Sequence, residues 1–194
     1  MYKRQYQLGG RYDQRTITAT KEDNSLWNPS FAGFNYSAGL NTQLNNFTFR
    51  LYASSGFRPP HSSETVVNGI HHGTFRYELG DENLKSESAT QIDFATEYSG
   101  EHFHFTLNPY FMQIQNFIYV QPIDSIINGF NVYQYTQDQN ATIVGGDVSF
   151  HYHPHFVHRL HLEHNFSLLQ GTKSLQQRKI CLLYTSPSPR DRSL

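Results

Sequence analysis

Apolar and polar residues alternate along most of this chain with a period of two. In the first such stretch Tyr6, Leu8 and Tyr12 occupy one set of alternate positions, while Arg11 and Asp13 occupy the other. A period of two is typical of a strand with one apolar and one polar face. The pattern predicts β-strands, and no long window shows the competing helical period of 3.6 residues.

The same alternation returns in six further stretches, so we expect about seven strands. They are predicted at 6–15, 33–41, 47–54, 91–98, 103–111, 147–153 and 160–168. Because successive side chains of a strand point to opposite faces, each face of the sheet should carry one set of residues. The apolar set includes Phe49, Leu51, Phe94 and Phe105, and the polar set includes Arg50, Asp93, His104 and Glu163.

The connections between these strands alternate between long and short. The long ones are predicted at 19–30, 58–87 and 119–131, and the short ones at 45–46, 99–101 and 153–155. A bacterial outer-membrane barrel has this parity, with short periplasmic turns and long outer loops. The sequence therefore predicts an all-β, antiparallel up-and-down meander. Since every backbone polar group in lipid must be paired, further strands are expected outside this sequence.

Composition and charge exclude several other classes of protein. Aromatic residues make up 15% of the chain, and disordered segments contain few aromatic residues, so a disordered chain is excluded. The formal net charge of −1 offers no basic surface for a nucleic-acid partner. No catalytic or cofactor-binding motif is recognisable, so we expect neither an enzyme nor a resident cofactor.

The two ends of the sequence differ from the rest. The N-terminal residues lack the apolar core of a secretory signal, so we expect the signal peptide outside this sequence. Residues 181–194 contain the single cysteine and a Pro/Ser/Arg-rich stretch, and they resemble a translated sequencing adapter. A native Ser/Pro linker is the alternative. We therefore divide the chain into a partial barrel at 1–180 and a non-native tail at 181–194.

Five short motifs resemble, in the same order, those of the TonB-dependent receptors. They are LGGRYD at 8–13, PSFAG at 29–33, YASSGFRPP at 52–60, GDENLKSE at 80–87 and GDV at 146–148. Two of them, at 52–60 and 80–87, bracket the longest predicted loop. The residues that match the family in these two motifs are Phe57, Arg58, Pro60, Asn83 and Leu84.

The resemblance implies a 22-stranded transmembrane β-barrel in the outer membrane of a Gram-negative bacterium. It also implies a plug domain, absent from this sequence, through which the TonB system drives uptake of a scarce solute. That solute would be a ferric siderophore, haem or cobalamin, and the barrel wall would contact outer-membrane lipid. The alternatives are a passive porin-like or structural barrel and, with less support, a soluble β-sandwich binding module.

Residues of the 58–87 loop are the candidates for ligand binding. His71 and His72 lie between the two bracketing motifs, where haem-importing members of the family carry a histidine that takes part in haem capture. Arg58 and Tyr77 are further candidates for contact with haem or a ferric chelate. The alternative is that the motifs only terminate strands and that both histidines are merely solvated.

A second group of histidines surrounds the last predicted short turn. It comprises His151, His153, His155, His158, His161 and His164. Converging neutral imidazoles can bind a metal ion, but polar aromatic residues are also common at a membrane rim. The sequence favours packing at the rim or against the plug, and we expect no metal site.

Overall fold

The computed structural model describes residues 3–21, 24–154 and 160–173, and the backbone of 179–180. Within these residues the chain is almost entirely extended. The elements are β1 (Lys3–Thr16), β2 (Ala19–Thr20), β3 (Leu26–Trp27), β4 (Ser30–Leu44), β5 (Phe47–Arg58), α1 (Ser62–Thr65), β6 (Asn68–His71), β7 (Arg76–Leu79), β8 (Glu87–Ser99), β9 (Phe103–Ile127), β10 (Phe130–Tyr152), β11 (Leu162–Lys173) and β12 (Lys179–Ile180).

The seven long strands form one antiparallel sheet in the order of the sequence. The order is β1-β4-β5-β8-β9-β10-β11, with β12 beyond β11. This arrangement confirms the predicted up-and-down meander and the predicted number of strands. The count of 22 strands stays a prediction, because it concerns the whole barrel.

Strand register separates the two predicted sets of residues onto opposite faces of the sheet. Residues directly opposite each other in an antiparallel pair share a face. Leu51 lies opposite Phe94, while its neighbour Tyr52 lies opposite Asp93. The same parity continues across the sheet, and the pairs that show it are Tyr98 with Phe105, Ser99 with His104, His104 with His151, and His151 with Glu163. The predicted faces are confirmed.

The apolar face of the sheet is uncovered. Leu8 is 85% exposed and Phe34 is 66% exposed, and neither has a second layer of structure over it. Near the tight-turn end, Phe47 packs against Tyr98 with ring centroids 4.9 Å apart, and Tyr98 against Phe103 at 6.1 Å. Such a band of aromatic rings beside an apolar wall is typical of strands that face lipid. A soluble β-sandwich would bury this face.

The connection predicted at 119–131 is wrong, and the one predicted as short at 153–155 runs from 153 to 161, with 155–159 outside the described residues. Residues 119–131 do not form a long loop, because β9 continues to Ile127 and β10 begins at Phe130. The turn is the dipeptide Asn128-Gly129, with φ values of 53° and 84°. Two successive positive φ angles make the tight hairpin turn for which Asn-Gly is the preferred sequence. The two strands therefore project well past the ends of their neighbours.

The long 58–87 connection is folded. It contains α1, β6 and β7, and β7 pairs in parallel with β10, with Tyr77 opposite Val132 and Leu79 opposite Gln134. β9 already occupies the other edge of β10 at Tyr133 and Gln134. The loop therefore crosses the upper ends of β8 and β9 to reach the far edge of β10.

Buried side chains are concentrated around this crossing. Leu84 of the loop, Ile118 of β9 and Val132 of β10 are all buried. No helix in the described part of the chain is long and apolar enough to cross a membrane. Residues 181–194 lie outside the described residues, so the division at residue 180 and the non-native tail stay predictions.

Candidate ligand-binding loop

Arg58 ties the two ends of the loop together. Its Nη1 donates to both carboxylate oxygens of Glu64, each at 3.0 Å, and its Nε donates to Glu87. Glu87 lies directly opposite Arg58 across the β5–β8 ladder, and its other oxygen accepts from the backbone N–H of Ile118 at 2.6 Å. A planar guanidinium can hold two carboxylates in fixed directions. The contacts of Arg58 thus support a role in anchoring the loop.

The helical turn α1 begins with a reciprocal cap. Nδ1 of His61 accepts from the N–H of Ser63 at 3.2 Å, and Glu64 accepts from the N–H of His61 at 2.8 Å. A residue three positions into a helix commonly satisfies the first backbone donor in this way. Glu64 therefore serves both the cap and Arg58, which fixes the helical turn to the end of β5. Pro60, a family-motif residue, is buried beside this turn.

The motif at 80–87 packs against the same helical turn. Gly80 approaches it so closely that a Cβ at this position would lie 2.4 Å from the carbonyl oxygen of Thr65. The N–H of Asp81 donates to the carbonyl of Glu64 at 3.1 Å. Oδ1 of Asp81 then accepts from the N–H of Asn83 at 2.9 Å, which closes a local turn. Glycine at position 80 is required by space, and the next three residues return the chain towards β8.

A pair of amides fastens the end of the loop to β9 and β10. Gln137 accepts from the N–H of Lys85 at 2.8 Å and donates to the carbonyl of Lys85 at 2.5 Å. Its Nε2 also reaches the carbonyl of Asn116 at 2.9 Å, and Asn116 donates to the carbonyl of Ser86 at 3.1 Å. Leu84, which precedes Lys85 in the chain, is buried. Gln137 and Asn116 thus satisfy backbone groups that the crossing takes away from the ladder.

Glu78 is the most deeply buried acid of the loop, with its side chain only 4% exposed. It is paired with Arg76 at 2.7 Å and accepts from the hydroxyl of Tyr135 at 3.2 Å. Arg76 also lies over the ring of Tyr133, 4.7 Å from its centroid. Burial, followed by the charge of Glu78, raises the pKa of Tyr135 above its ordinary value. The phenol therefore stays a donor, and β7 is held to β10 by side chains as well as by its ladder.

Two of the sequence motifs meet on neighbouring strands. A Cβ at Gly33 would lie 2.3 Å from the ring of Phe57, so the ring lies directly over this glycine. Gly33 belongs to the motif at 29–33 and Phe57 to the motif at 52–60. Each motif thus contributes one half of a close aromatic–glycine contact at the outer end of the sheet.

His71 and His72 lie at the opposite end of the loop from these anchors, where β6 turns into β7, and both are exposed. Nδ1 of His71 lies 3.1 Å from the hydroxyl of Thr74. Tyr77 donates its hydroxyl to Asn68 at 3.0 Å, back towards β6. The structure therefore brings the two imidazoles to the tip and places Arg58 in the base. Ligand contact by any of the four residues stays a prediction.

A cleft lies between α1, the 80–83 turn and β10. It has a volume of about 850 Å³ and is lined by Thr65, Asn68, Gly80, Asp81, Asn83 and Gln134, among others. Lys21 reaches it from the first long connection and pairs with Glu82 at 2.6 Å. Polar groups on a concave surface of this size suit a small solute with hydrogen-bonding groups.

The comparisons with known proteins decide the family. The family described as "TonB dependent receptor-like, beta-barrel" matches residues 5–180. The chain belongs to the TonB-dependent receptors. Members of this family are outer-membrane receptors and not enzymes, in agreement with the resemblance of the five motifs. No curated protein matches the sequence.

Solved structures of several transporters and receptors share the fold of this chain. One is titled "Copper transporter OprC", with a TM-score of 0.71 and 17% identity over 91% of this chain and 28% of that one. The FrpB iron transporter from Neisseria meningitidis has a TM-score of 0.59 and 16% identity, over 87% of this chain and 24% of that one. A third is the Serratia marcescens hemophore receptor HasR in complex with its hemophore HasA and heme. Its TM-score is 0.56 and its identity 11%, over 89% of this chain and 30% of that one. The chain therefore spans less than a third of each of these proteins.

Several residues that build this TonB-dependent receptor loop were missed by sequence reasoning. Glu64 and Glu87 had a signal, since the spacing His61-x-x-Glu64 is that of a capping box and Glu87 closes a family motif. The sequence carried no such signal for Gln137, Asn116 and Glu78, because a polar residue within an alternating strand looks like any other residue of the polar face.

Proposed function

We propose that the complete receptor takes up a scarce solute through the outer membrane with energy from the TonB system. The membership of residues 5–180 in the family supports this proposal. The plug and the remaining strands that such transport needs would come from parts of the protein beyond this sequence. We further propose that the 58–87 loop captures the solute, and that the solute is haem.

The observation that carries the haem proposal is the contrast between the loop's base and its tip. The base is held by Arg58, Gln137 and Glu78, while His71 is exposed beyond them. In the tautomer whose Nδ1–H donates to Thr74, the Nε2 of His71 carries the lone pair that binds iron. A hydrogen bond on one ring nitrogen is the usual way in which a protein orients an imidazole ligand. The geometry favours His71 over His72 as the ligand.

The experiment uses the restored full-length receptor and replaces His71 and His72 by Ala, singly and together. We expect His71→Ala and the double variant to lower hemin affinity by at least tenfold. His72→Ala, the matched control from the adjacent position, should change it by less than threefold.

The readouts are hemin titration of the purified receptor and growth on hemin as the sole iron source. Unchanged binding and growth in the double variant would exclude the histidine ligand. TonB-dependent growth on a ferric siderophore in the same strain would then show that transport stands with a different solute. Growth on every iron source without TonB would instead favour a passive barrel.

A further inference from the structure

Five imidazoles converge at the tight-turn end of the sheet, opposite the 58–87 loop. His102 and His104 belong to the β8–β9 turn and the start of β9, His151 lies near the end of β10, and His153 and His161 belong to the β10–β11 connection. Ring centroids are 5.3 Å apart for His102 and His153 and 6.1 Å apart for His104 and His151. Packing of these histidines at the membrane rim or against the plug stays a prediction, and His155 and His158 lie outside the described residues. Three of the five rings have spacings that packing alone does not require.

His151, His153 and His161 form a nearly equilateral triangle of rings. Their centroids are separated by 5.4 Å, 5.6 Å and 5.9 Å. Around a tetrahedral ion with metal–nitrogen bonds of about 2.05 Å, the centroids of two imidazole ligands lie about 5.2 Å apart. The observed triangle is therefore wider than a bound triad by less than an ångström on each side.

One edge of the triangle already has the separation of two metal ligands. Nε2 of His151 lies 3.3 Å from Nδ1 of His161, and the two rings share a hydrogen bond whose donor depends on the tautomer. With metal–nitrogen bonds of about 2.05 Å, this separation corresponds to an angle of about 107° at the metal, close to tetrahedral. A square-planar arrangement would bring adjacent nitrogens to about 2.9 Å with the same bond length. The edge fits Zn²⁺ better than a planar ion.

We propose that His151, His153 and His161 bind a zinc ion at this rim of the barrel, with the fourth position open to water or to the plug. Among the described residues no three His, Cys, Asp or Glu side chains form a ready metal-binding group. The missing step is a turn of the His153 ring that brings one nitrogen to the existing edge. The centroid of His153 lies 5.4 Å from that of His151 and 5.9 Å from that of His161, within an ångström of the separations in a bound triad.

Two carboxylates belong to the strands and turns that carry these rings. Glu163 lies directly opposite His151 in the β10–β11 ladder and so shares its face. Glu101 lies 3.9 Å from His102 in the neighbouring turn. Bound at this position, the metal would join the last residues of β10 to the residues that precede β11. The site is separate from the 58–87 loop and independent of the solute proposed for it.

The test measures zinc in the full-length receptor, purified without a polyhistidine tag, stripped with a chelator and dialysed against Zn²⁺. We expect the wild type to hold one more zinc ion per chain than the His151→Ala/His161→Ala variant. His164→Ala, whose ring contacts Phe150 on the apolar face, should keep the full zinc count. Co²⁺ loaded into the same site should give the strong visible absorption of tetrahedral coordination.

An equal zinc count in the wild type and the double variant would overturn the proposal. No zinc in the wild type would do so as well, and would favour packing of the histidines against the plug. Heat-dependent migration on a gel shows whether the variant barrels are folded. If the double variant does not fold, His153→Gln decides: the site predicts at least tenfold weaker zinc binding, and unchanged binding would exclude it.

Discussion

Replacement of Arg58 by Ala would leave two largely buried carboxylates without the guanidinium that they share. The side chains of Glu64 and Glu87 are 17% and 12% exposed, while that of Arg58 is 44% exposed. Hydrogen bonds to charged groups contribute about 1.5–3 kcal/mol when shielded, and exposed ion pairs about 0–1 kcal/mol. Each carboxylate also keeps one backbone donor, from His61 or Ile118. We therefore expect Arg58→Ala to destabilise the closed loop by about 2 kcal/mol.

Hydrogen–deuterium exchange on the full-length receptor measures this effect directly. A loss of about 2 kcal/mol in local opening free energy corresponds to about 30-fold faster exchange of the amides in 61–84. Arg58→Lys should fall between the wild type and Arg58→Ala, because a lysine keeps the charge and loses the two-sided fork. Exchange in β1, whose ladder partner is β4, should be unchanged.

Arg11→Ala is the matched control. Arg11 also pairs with an acid, Asp13, at 2.8 Å, but its side chain is 73% exposed and both partners lie on the same strand. Loss of the Arg11 side chain should leave the exchange rates of the loop amides in 61–84 unchanged. If Arg58→Ala accelerates exchange by less than threefold, the anchoring role is refuted. A fall in solute affinity without faster exchange would then assign Arg58 to ligand contact.

Two further predictions concern close packing at glycines. Gly80→Ala should lower the opening free energy of the 61–84 segment by about 2 kcal/mol or more, because its Cβ would meet the backbone of Thr65. Gly69→Ala, with nothing within 4 Å of the added atom, is the control, and equal exchange in the two variants would contradict the packing argument. Gly33→Ala should destabilise the outer end of β4 through its clash with Phe57. In a Phe57→Ala background, Gly33→Ala should change the stability of this end of the strand little. A double-mutant cycle with a coupling free energy of zero would rule out the contact.

The strands could be predicted from sequence because the two faces of this sheet meet different solvents. Leu51 and Phe94 face the apolar side and Arg50 and Asp93 the polar side, so the period of two is almost unbroken in the spanning segments. Beyond the membrane this contrast ends. The segment from Tyr119 to Ile127 loses its alternation, and it was predicted as a loop although Asn128-Gly129 signalled a hairpin.

The loop itself was predictable only at its ends. The family motifs locate Arg58 and Asn83, and their order brackets the connection. The fold between them depends on contacts far apart in sequence, such as Lys85 with Gln137 and Glu78 with Tyr135. No local pattern encodes such partners. The zinc triad is similar, because the spacing of His151, His153 and His161 has meaning only after β10 and β11 have paired.

The parallel pairing of β7 with β10 has a consequence for the order of assembly. Tyr77 meets Val132, which lies 55 positions later in the chain, on the edge of β10 that faces away from β9 in the β9–β10 hairpin. That hairpin closes locally through a two-residue turn, whereas joining β7 to it requires closure of a much longer loop. Docking of the loop should therefore be a late event in biogenesis. A barrel could insert its wall first and complete its outer surface afterwards, from residues already synthesised and exported.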